Sequence, residues 1–252
     1  MNKPEAHAAR AATDRGRHEA EPAFVLHSYP FRETSLVVEA FSRNFGRIGL
    51  VAKGARRPKS NLRGLLLAFQ PLLLSWSGKT ELRTLMRAEW QGGQPPLTGL
   101  ALICGFYLNE LLLKFLARDD PHERLYEYYQ DGLGALSGGR ELPAVLRRFE
   151  LRLLTELGYG LVLDREADTG LRVRPDQRYV YVPERGPMAA DGAGAETTVE
   201  LRGKTLLDMC RDDYSDPLTQ SQSKALMRLV INHHLGGAAL HTRQLLKDLK
   251  QL

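Results

Sequence analysis

The sequence predicts an α+β protein: a small N-terminal β-barrel followed by a mainly α-helical domain with a small β-hairpin insertion. Three observations support this. Short runs of β-forming residues fill positions 23–90 and are separated by turn residues. Pro95 and Pro96 end that pattern, and helical periodicity begins after them. The chain has 252 residues, a length that suits two modest domains.

Five β-forming runs are expected to build the barrel. They are FVLHSYPF, SLVVEAF, RIGLVAKG, LLLAFQPLLLSW and ELRTLMRAEW. Residues 44–46 and 77–80 have the composition of tight turns between strands. Five strands in about 70 residues favour an OB-fold, the five-stranded Greek-key barrel, over a sandwich, which normally needs more strands. We assign this domain to residues 23–92.

The N-terminal segment 1–22 has almost no large apolar side chains. Burial cannot offset the entropy of ordering such a segment, so we expect a disordered tail. The segment has no apolar signal core, and no run of about 18 apolar residues occurs anywhere in the sequence. Only Cys104 and Cys210 are present, too few for a disulfide framework. These features favour a cytoplasmic location.

The second domain is assigned to residues 97–252 and is expected to be mainly helical. Apolar periodicity, with proline or threonine at several starts, predicts the individual helices. The predicted helices are 97–117, 121–136, 143–157, 203–211, 217–235 and 241–249. Residues 164–200 interrupt them with an alternating RYVYVP segment and the small-residue stretch AADGAGAE. This insertion predicts a β-hairpin and a flexible loop.

The distribution of charge favours a polyanionic partner. Lys and Arg exceed Asp and Glu by five, and the pI is about 9.2. Residues 43–63 contain seven cations and no acid, and Gly and Pro place several of them on a loop suited to phosphate contacts. A solvated basic loop without a ligand is the alternative. The predicted DNA-binding residues are Arg32, Arg43, Arg47, Lys53, Arg56, Arg57, Lys59, Arg63, Lys79 and Arg83.

Aromatic residues of the barrel are candidates for stacking on bases. OB barrels bind single strands by combining a positive groove with aromatic side chains. The candidates are Phe31, Phe45 and Trp76. A place in the barrel core is the alternative for each of them, because aromatics dominate small cores.

Enzyme signatures are weak. Asp212, Asp213 and Asp216 would suit a metal-dependent nuclease, but Asp216 before Pro217 is also a normal helix N-cap. The sequence SGKT lacks the upstream glycine of a phosphate-binding P-loop, because that position is Leu73. We therefore expect a protein without catalytic residues. A nuclease and a pure protein-interaction scaffold remain the alternatives.

Four stretches of the chain form a recognisable set: YPFRETSLVVEAFSRNFGRIGLVAKGARRPKS, ELLLKFLARDDPHERLYEYY, LRLLTELGYG and LGGAALHTRQLL. In these stretches the sequence resembles the RecO family of bacterial recombination mediators. The most specific part is the run from Gly46 to Ser60. Nearly the whole chain after Pro22 is included.

The resemblance implies a recombination mediator that uses no cofactor. It would bind single- and double-stranded DNA, anneal strands and help load RecA, together with RecR and the C-terminal tail of single-strand-binding protein. The resemblance therefore also implies a cytoplasmic protein that is associated with the nucleoid. That acidic tail would need cations beside an apolar pocket, for which the candidates are Lys114, Arg118, Lys224 and Arg228.

The resemblance also bears on metal content. Many family members carry a four-cysteine zinc site after the LGY element. Residues 164–200 of this chain contain no cysteine. The sequence is therefore similar to the metal-free members, and we expect no zinc.

Overall fold

The computed structural model describes residues 16–190 and 198–249. The chain forms two compact units. The first contains the chain up to Leu97 together with Asn109–Glu127, and the second contains Thr98–Leu108 and the chain from Tyr128 onward. The barrel unit thus includes a segment that the sequence assigned to the helical domain.

The first unit is built around a closed five-stranded barrel. Its strands are β1 (Arg17–Phe31), β2 (Ser35–Ser42), β3 (Gly46–Ala52), β4 (Pro71–Ser77) and β5 (Leu82–Trp90). They close in the order β1-β2-β3-β5-β4, in which β3 and β5 pair in parallel and the other neighbours are antiparallel. This confirms the predicted OB-like barrel.

Alternation along each strand fills the barrel with apolar side chains. Inward positions are two residues apart, as the period of a β-strand requires. On β2 they are Val38 and Ala40, and on β3 they are Ile48, Leu50 and Ala52. Trp76 is the largest side chain in this core and is fully buried. The barrel is therefore packed solid, and any ligand must bind on its outside.

The barrel begins earlier than the sequence indicated. β1 starts at Arg17, which pairs with Ser77, so residues 17–22 belong to a strand and not to the expected tail. This stretch forms a strand despite its low apolar content, because backbone pairing with β4 and one buried carboxylate hold it in place. That carboxylate, on Glu21, accepts hydrogen bonds from the backbone and side-chain amides of Asn44. Residues 1–15 of the predicted tail lie outside the described residues.

The fourth predicted strand is shorter than its apolar run. β4 starts at Pro71. The predicted run begins at Leu65, the last residue of a short helix, α1 (Leu62–Leu65), and continues with buried Leu66 and Phe69 before the strand. Because Leu62 and Leu66 pack against the barrel core, this apolar segment closes the barrel and does not extend the sheet.

Six further helices follow the barrel, close to the predicted bounds. They are α2 (Gly99–Phe115), α3 (Glu123–Ser137), α4 (Leu142–Glu156), α5 (Gly203–Cys210), α6 (Pro217–His234) and α7 (His241–Leu249). None of the helices in the described part of the chain is long and apolar enough to cross a membrane.

The insertion between α4 and α5 is a small antiparallel sheet. It consists of β6 (Arg178–Val182), β7 (Gly186–Ala189) and β8 (Val199–Arg202), in the order β7-β6-β8. The predicted hairpin is β6–β7, and β8 pairs with the other side of β6. The predicted flexible loop falls largely on residues 191–197, which lie outside the described residues.

The arginine of the C-terminal LHTRQLL motif anchors α7 in the second unit. Arg243 donates a hydrogen bond of 3.0 Å to the Tyr107 hydroxyl, which in turn donates one of 2.6 Å to Glu150. Arg147 also donates to Glu150, at 2.6 Å. Glu150 is completely buried, and this burial raises the pKa of its carboxyl. Four side chains from three helices thus share one buried polar network.

Residues 109–127 cover the outer face of β1, β2 and β3. Tyr126 lies against the rings of Phe24 and Phe41, both fully buried although they point away from the barrel interior. Asn109 donates a 2.8 Å hydrogen bond to the carbonyl of Leu26. Gly46 is needed for this packing, because a Cβ there would lie 1.9 Å from the carbonyl oxygen of Asp120. This apolar outer face explains why the segment belongs to the barrel unit.

Candidate nucleic-acid interface

The predicted basic loop, residues 53–63, leaves the barrel at the end of β3. Gly54 adopts a φ of +69°, which turns the chain sharply after the strand. The Arg56 amide donates to the carbonyl of Thr34 at 2.9 Å. Its guanidinium also donates to the carbonyls of Arg32 and Glu33, at 3.4 and 3.3 Å. The loop is therefore held against the β1–β2 turn.

The cations of this region face the solvent. Lys53, Arg56, Arg57, Lys59 and Arg63 are all exposed. Arg32 on the adjoining turn is exposed as well, and its guanidinium lies over the Phe31 ring at 5.2 Å from the ring centroid. We call these six residues the basic patch. From residue 40 to residue 80 the sequence has no acidic residue, and the exposed carboxylates that flank this stretch in the sequence are those of Glu33 and Glu81.

Two predicted DNA-binding arginines instead hold residues 109–127 on the barrel. Arg47 pairs with Glu39 at 2.9 Å and donates to the carbonyls of Leu113 and Leu116. Arg83 pairs with Asp119 at 2.7 Å. Both guanidinium groups are ion-paired with carboxylates inside the unit, and we remove both residues from the predicted interface.

Arg43 and Arg118 have the same structural role. Arg43 pairs with Glu123 and Glu127 at 2.8 and 2.9 Å. Arg118, a predicted contact for the acidic tail, pairs with Glu39 and Glu81. The sequence could not show that Arg43 and Arg118 form ion pairs instead of binding a ligand, because their carboxylate partners lie 37 to 84 positions away along the chain.

Glu39 is the centre of this ion-pair network. Its side chain is 6% exposed and contacts both Arg47 and Arg118. Burial raises the pKa of the Glu39 carboxyl, but the hydrogen bonds from Arg118 and Arg47 lower it more, so the pKa lies below its ordinary value. The carboxylate is thus charged, and it compensates two arginines that would otherwise be partly buried without a partner.

Lys79 lies away from the basic patch. It is exposed in the turn between β4 and β5. This turn lies at one end of the barrel, and the basic loop leaves the barrel at the other end. Its side chain passes close to Gly16 at the start of β1.

The predicted stacking aromatics are mostly core residues. Trp76 is fully buried, so stacking on a base is excluded in this structure. Phe45 packs edge-on against Trp76 at 5.4 Å and against His18 at 4.3 Å. Phe31 is half-buried beneath Arg32. Small barrels need large side chains to fill their cores, and Trp76 and most of Phe45 are buried for this reason.

Two aromatics that the sequence analysis missed are exposed on the barrel. Tyr29 is 40% exposed and Trp90 is 58% exposed. Trp90 is the last residue of β5, so no following strand residue covers its ring, and Tyr29 lies two residues before the end of β1. Position at a strand end, ahead of a glycine-rich linker in the case of Trp90, is the signal that could have identified them.

The cations predicted for the acidic tail do not form one described cluster. Lys114 is exposed in the last turn of α2 and belongs to the first unit. Lys224 and Arg228 are exposed one turn apart on α6, in the second unit. Arg118 is occupied by carboxylates, as described above.

The acidic cluster of the nuclease alternative has structural partners. Asp212 pairs with Arg148 at 2.7 Å. Asp213 accepts from the backbone and hydroxyl of Ser215. Asp216 caps α6 and pairs with Lys204 at 2.8 Å. Within the described residues, no group of three or more His, Cys, Asp or Glu side chains is arranged to hold a metal ion.

The small sheet that follows the LGY element does not fit a zinc site. A structural zinc needs four thiolate or imidazole ligands, and residues 164–200 contain neither cysteine nor histidine. Buried tyrosines pack the sheet instead. The Tyr179 hydroxyl accepts from the Arg174 amide at 2.9 Å and lies 3.2 Å from Glu166.

Comparison with known proteins assigns the chain to a family. The family profile described as Recombination protein O N terminal matches residues 18–93, and Recombination protein O C terminal matches residues 96–244. The chain is 60% identical to the DNA repair protein RecO of Nitrosospira multiformis, over 95% of this chain and 99% of that protein. It is 58% identical to DNA repair protein RecO of Aromatoleum aromaticum, over 94% of this chain and 98% of that protein. The chain therefore belongs to the RecO family of DNA repair proteins.

Proposed function

We propose that this protein is a non-catalytic recombination mediator that binds single- and double-stranded DNA through the basic patch. The observation that carries the proposal is the patch itself, six exposed cations at one end of a closed barrel. Membership of a DNA repair family supports DNA as the polyanion.

Phosphate binding and annealing follow from the same chemistry. Each Lys or Arg that contacts a phosphate releases condensed counterions, which drives binding at low salt. A strand neutralised in this way repels a complementary strand less, so the barrier to pairing falls. No bond is made or broken, and no metal or cofactor is needed.

Partners in the proposed role are RecR, the C-terminal tail of single-strand-binding protein and, indirectly, RecA. The protein would hold a strand coated by single-strand-binding protein while RecA is loaded. This activity requires access to the chromosome and thus a nucleoid-associated place in the cytoplasm.

Incubation of the protein with a labelled single strand and Mg²⁺ tests the proposed function. We expect the strand to be retained at low salt and to stay full length. Shortened products would support the nuclease alternative that uses Asp212, Asp213 and Asp216. No retention at any salt concentration would support a protein scaffold, and either result would overturn the proposal.

The acidic tail is expected to bind near Lys224 and Arg228. These cations lie one turn apart on α6, so one acidic segment can contact both. A fluorescent tail peptide should bind Lys224→Ala plus Arg228→Ala about fivefold or more weakly than wild type, because the double variant cannot form these charge-assisted hydrogen bonds. Arg140→Ala removes an exposed cation that is not a tail candidate, so it is the control and should bind as wild type does. Equal affinity of the double variant and wild type would place the tail elsewhere.

A further inference from the structure

We propose that Trp90 stacks on an unpaired base of a single strand whose phosphates lie on the basic patch. The inference rests on the DNA binding proposed above and adds the part of the surface that would distinguish single strands from duplex. It concerns a residue that the sequence analysis did not select.

Trp90 is largely exposed to the solvent. The residue is 58% exposed, whereas Trp76, the other tryptophan, is fully buried. The Trp90 Nε1–H donates a 3.1 Å hydrogen bond to Gln70 Oε1. The polar atom of the ring is therefore already satisfied and its orientation is held. What remains exposed is apolar π-surface, which gains from contact with another flat ring.

Trp90 lies at the rim of the barrel, at the end where the basic loop departs. It pairs with Leu72 at the start of β4, and Leu72 points into the core. β5 runs parallel to β3, so both strands end in the same direction, and β3 leads directly into the basic loop. The indole is thus level with Leu72, the first core side chain of β4.

The basic patch is also connected to β5, the strand of Trp90, through α1. This short helix packs against β5 and carries the exposed Arg63. Gln70, which holds the indole, ends the same connection between β3 and β4 that contains the patch cations. One connecting segment therefore supplies both the phosphate-binding charges and the support of the aromatic ring.

A stacking contact of this kind reads the face of a base and not its edge. Every base has a π-face, so the contact carries little sequence preference. Bases in a duplex are already stacked on their neighbours and cannot offer that face. Trp90 would therefore favour single strands, while the patch cations bind either form.

Intrinsic fluorescence gives the first test. Titration of wild type with an unlabelled oligothymidylate should quench the Trp90 part of the emission. Trp90→Phe retains a ring, so it should bind within about threefold of wild type and show no quenching, since stacking tolerates other aromatics. Unquenched emission from a saturated wild-type complex would overturn the inference.

Affinity gives the second test. Trp90→Ala should bind the single strand about tenfold more weakly, within the range for removal of one stacking ring. Its affinity for duplex of the same length, and for an abasic strand that has sugars and phosphates only, should match wild type. Met86→Ala controls for the loss of an exposed apolar side chain from the same strand, because Met86 is on β5 and is 59% exposed. It should leave all three affinities unchanged.

The outcomes separate this inference from the proposed function. Wild type that binds none of the three ligands would overturn both. Wild-type binding to all three, with no specific loss in Trp90→Ala, would overturn the stacking site and leave the basic patch in place. An equal loss for the single strand, duplex and abasic strand would also contradict stacking, because it would show an effect on phosphate binding.

Discussion

Replacing Arg56, Arg57 and Lys59 with Ala lowers the affinity for a single strand about a hundredfold at 0.1 M salt. Each phosphate contact on a single strand contributes about 0.7 to the slope of log affinity against log salt. At 0.1 M salt, one such contact therefore raises the affinity about fivefold. Removing all three side chains thus lowers the slope by about 2 units. The three side chains are exposed on the loop. Binding of a labelled oligonucleotide across a salt series measures both quantities.

A variant with the same change in net charge is the control. Arg17, Arg87 and Arg178 are exposed, and each is paired with a glutamate. Their joint replacement by Ala removes three positive charges outside the basic patch. It should change the affinity only a few-fold, because long-range attraction is screened within about 10 Å at this salt concentration. Equal losses in the two triple variants would show that net charge, not the patch, drives binding.

Glu39→Ala destabilises the protein by about 3 kcal/mol, at the low end for removing one partner of a buried ion pair. Arg47 and Arg118 would be left without their shared carboxylate, while each is only about 20% exposed. Thermal unfolding should show a Tm lower by roughly 10 °C. Glu33→Ala is the control, since Glu33 is exposed in the preceding turn and should change stability by about 0.5 kcal/mol or less. Similar Tm values for Glu39→Ala and wild type would mean that the network contributes little.

The same carboxylate gives the stability a defined pH dependence. Its pKa is lower in the folded protein than in the unfolded chain, so ionised Glu39 stabilises the fold. That contribution is complete above the ordinary pKa of about 4.3 and is lost as the pH falls through the lower folded value. The difference in stability between wild type and Glu39→Gln should therefore shrink on acidification below about pH 4. A difference that is constant or grows at low pH would contradict this assignment.

The barrel could be predicted because its signals are local. Strand alternation and the turns at residues 44–46 and 77–80 depend on neighbouring residues, and the structure confirms five strands in a closed barrel. The basic loop was also identifiable, since its cations, Gly54 and Pro58 are consecutive. Its function in DNA binding stays a prediction.

The roles of individual arginines could not be predicted, because they depend on contacts distant in sequence. Arg47 and Arg56 look alike in the sequence, but Arg47 faces Glu39 and the carbonyls of Leu113 and Leu116, whereas Arg56 is exposed. The aromatics were misassigned for a related reason. Local pattern shows that Trp76 is in a strand but not which face of that strand is buried, and Trp90 was not selected.

The packing of residues 109–127 on the barrel has a consequence for synthesis of the protein. All five strands have been translated by Trp90, yet Phe24 and Phe41 pack against Tyr126, and Glu39 pairs with Arg118, in a segment that ends at Glu127. At about 5–20 residues per second, the nascent barrel waits several seconds with this surface uncovered. A fragment cut at the Pro95–Pro96 linker would expose it permanently. The boundary at which this domain can be separated is therefore set by tertiary contacts and not by the proline linker.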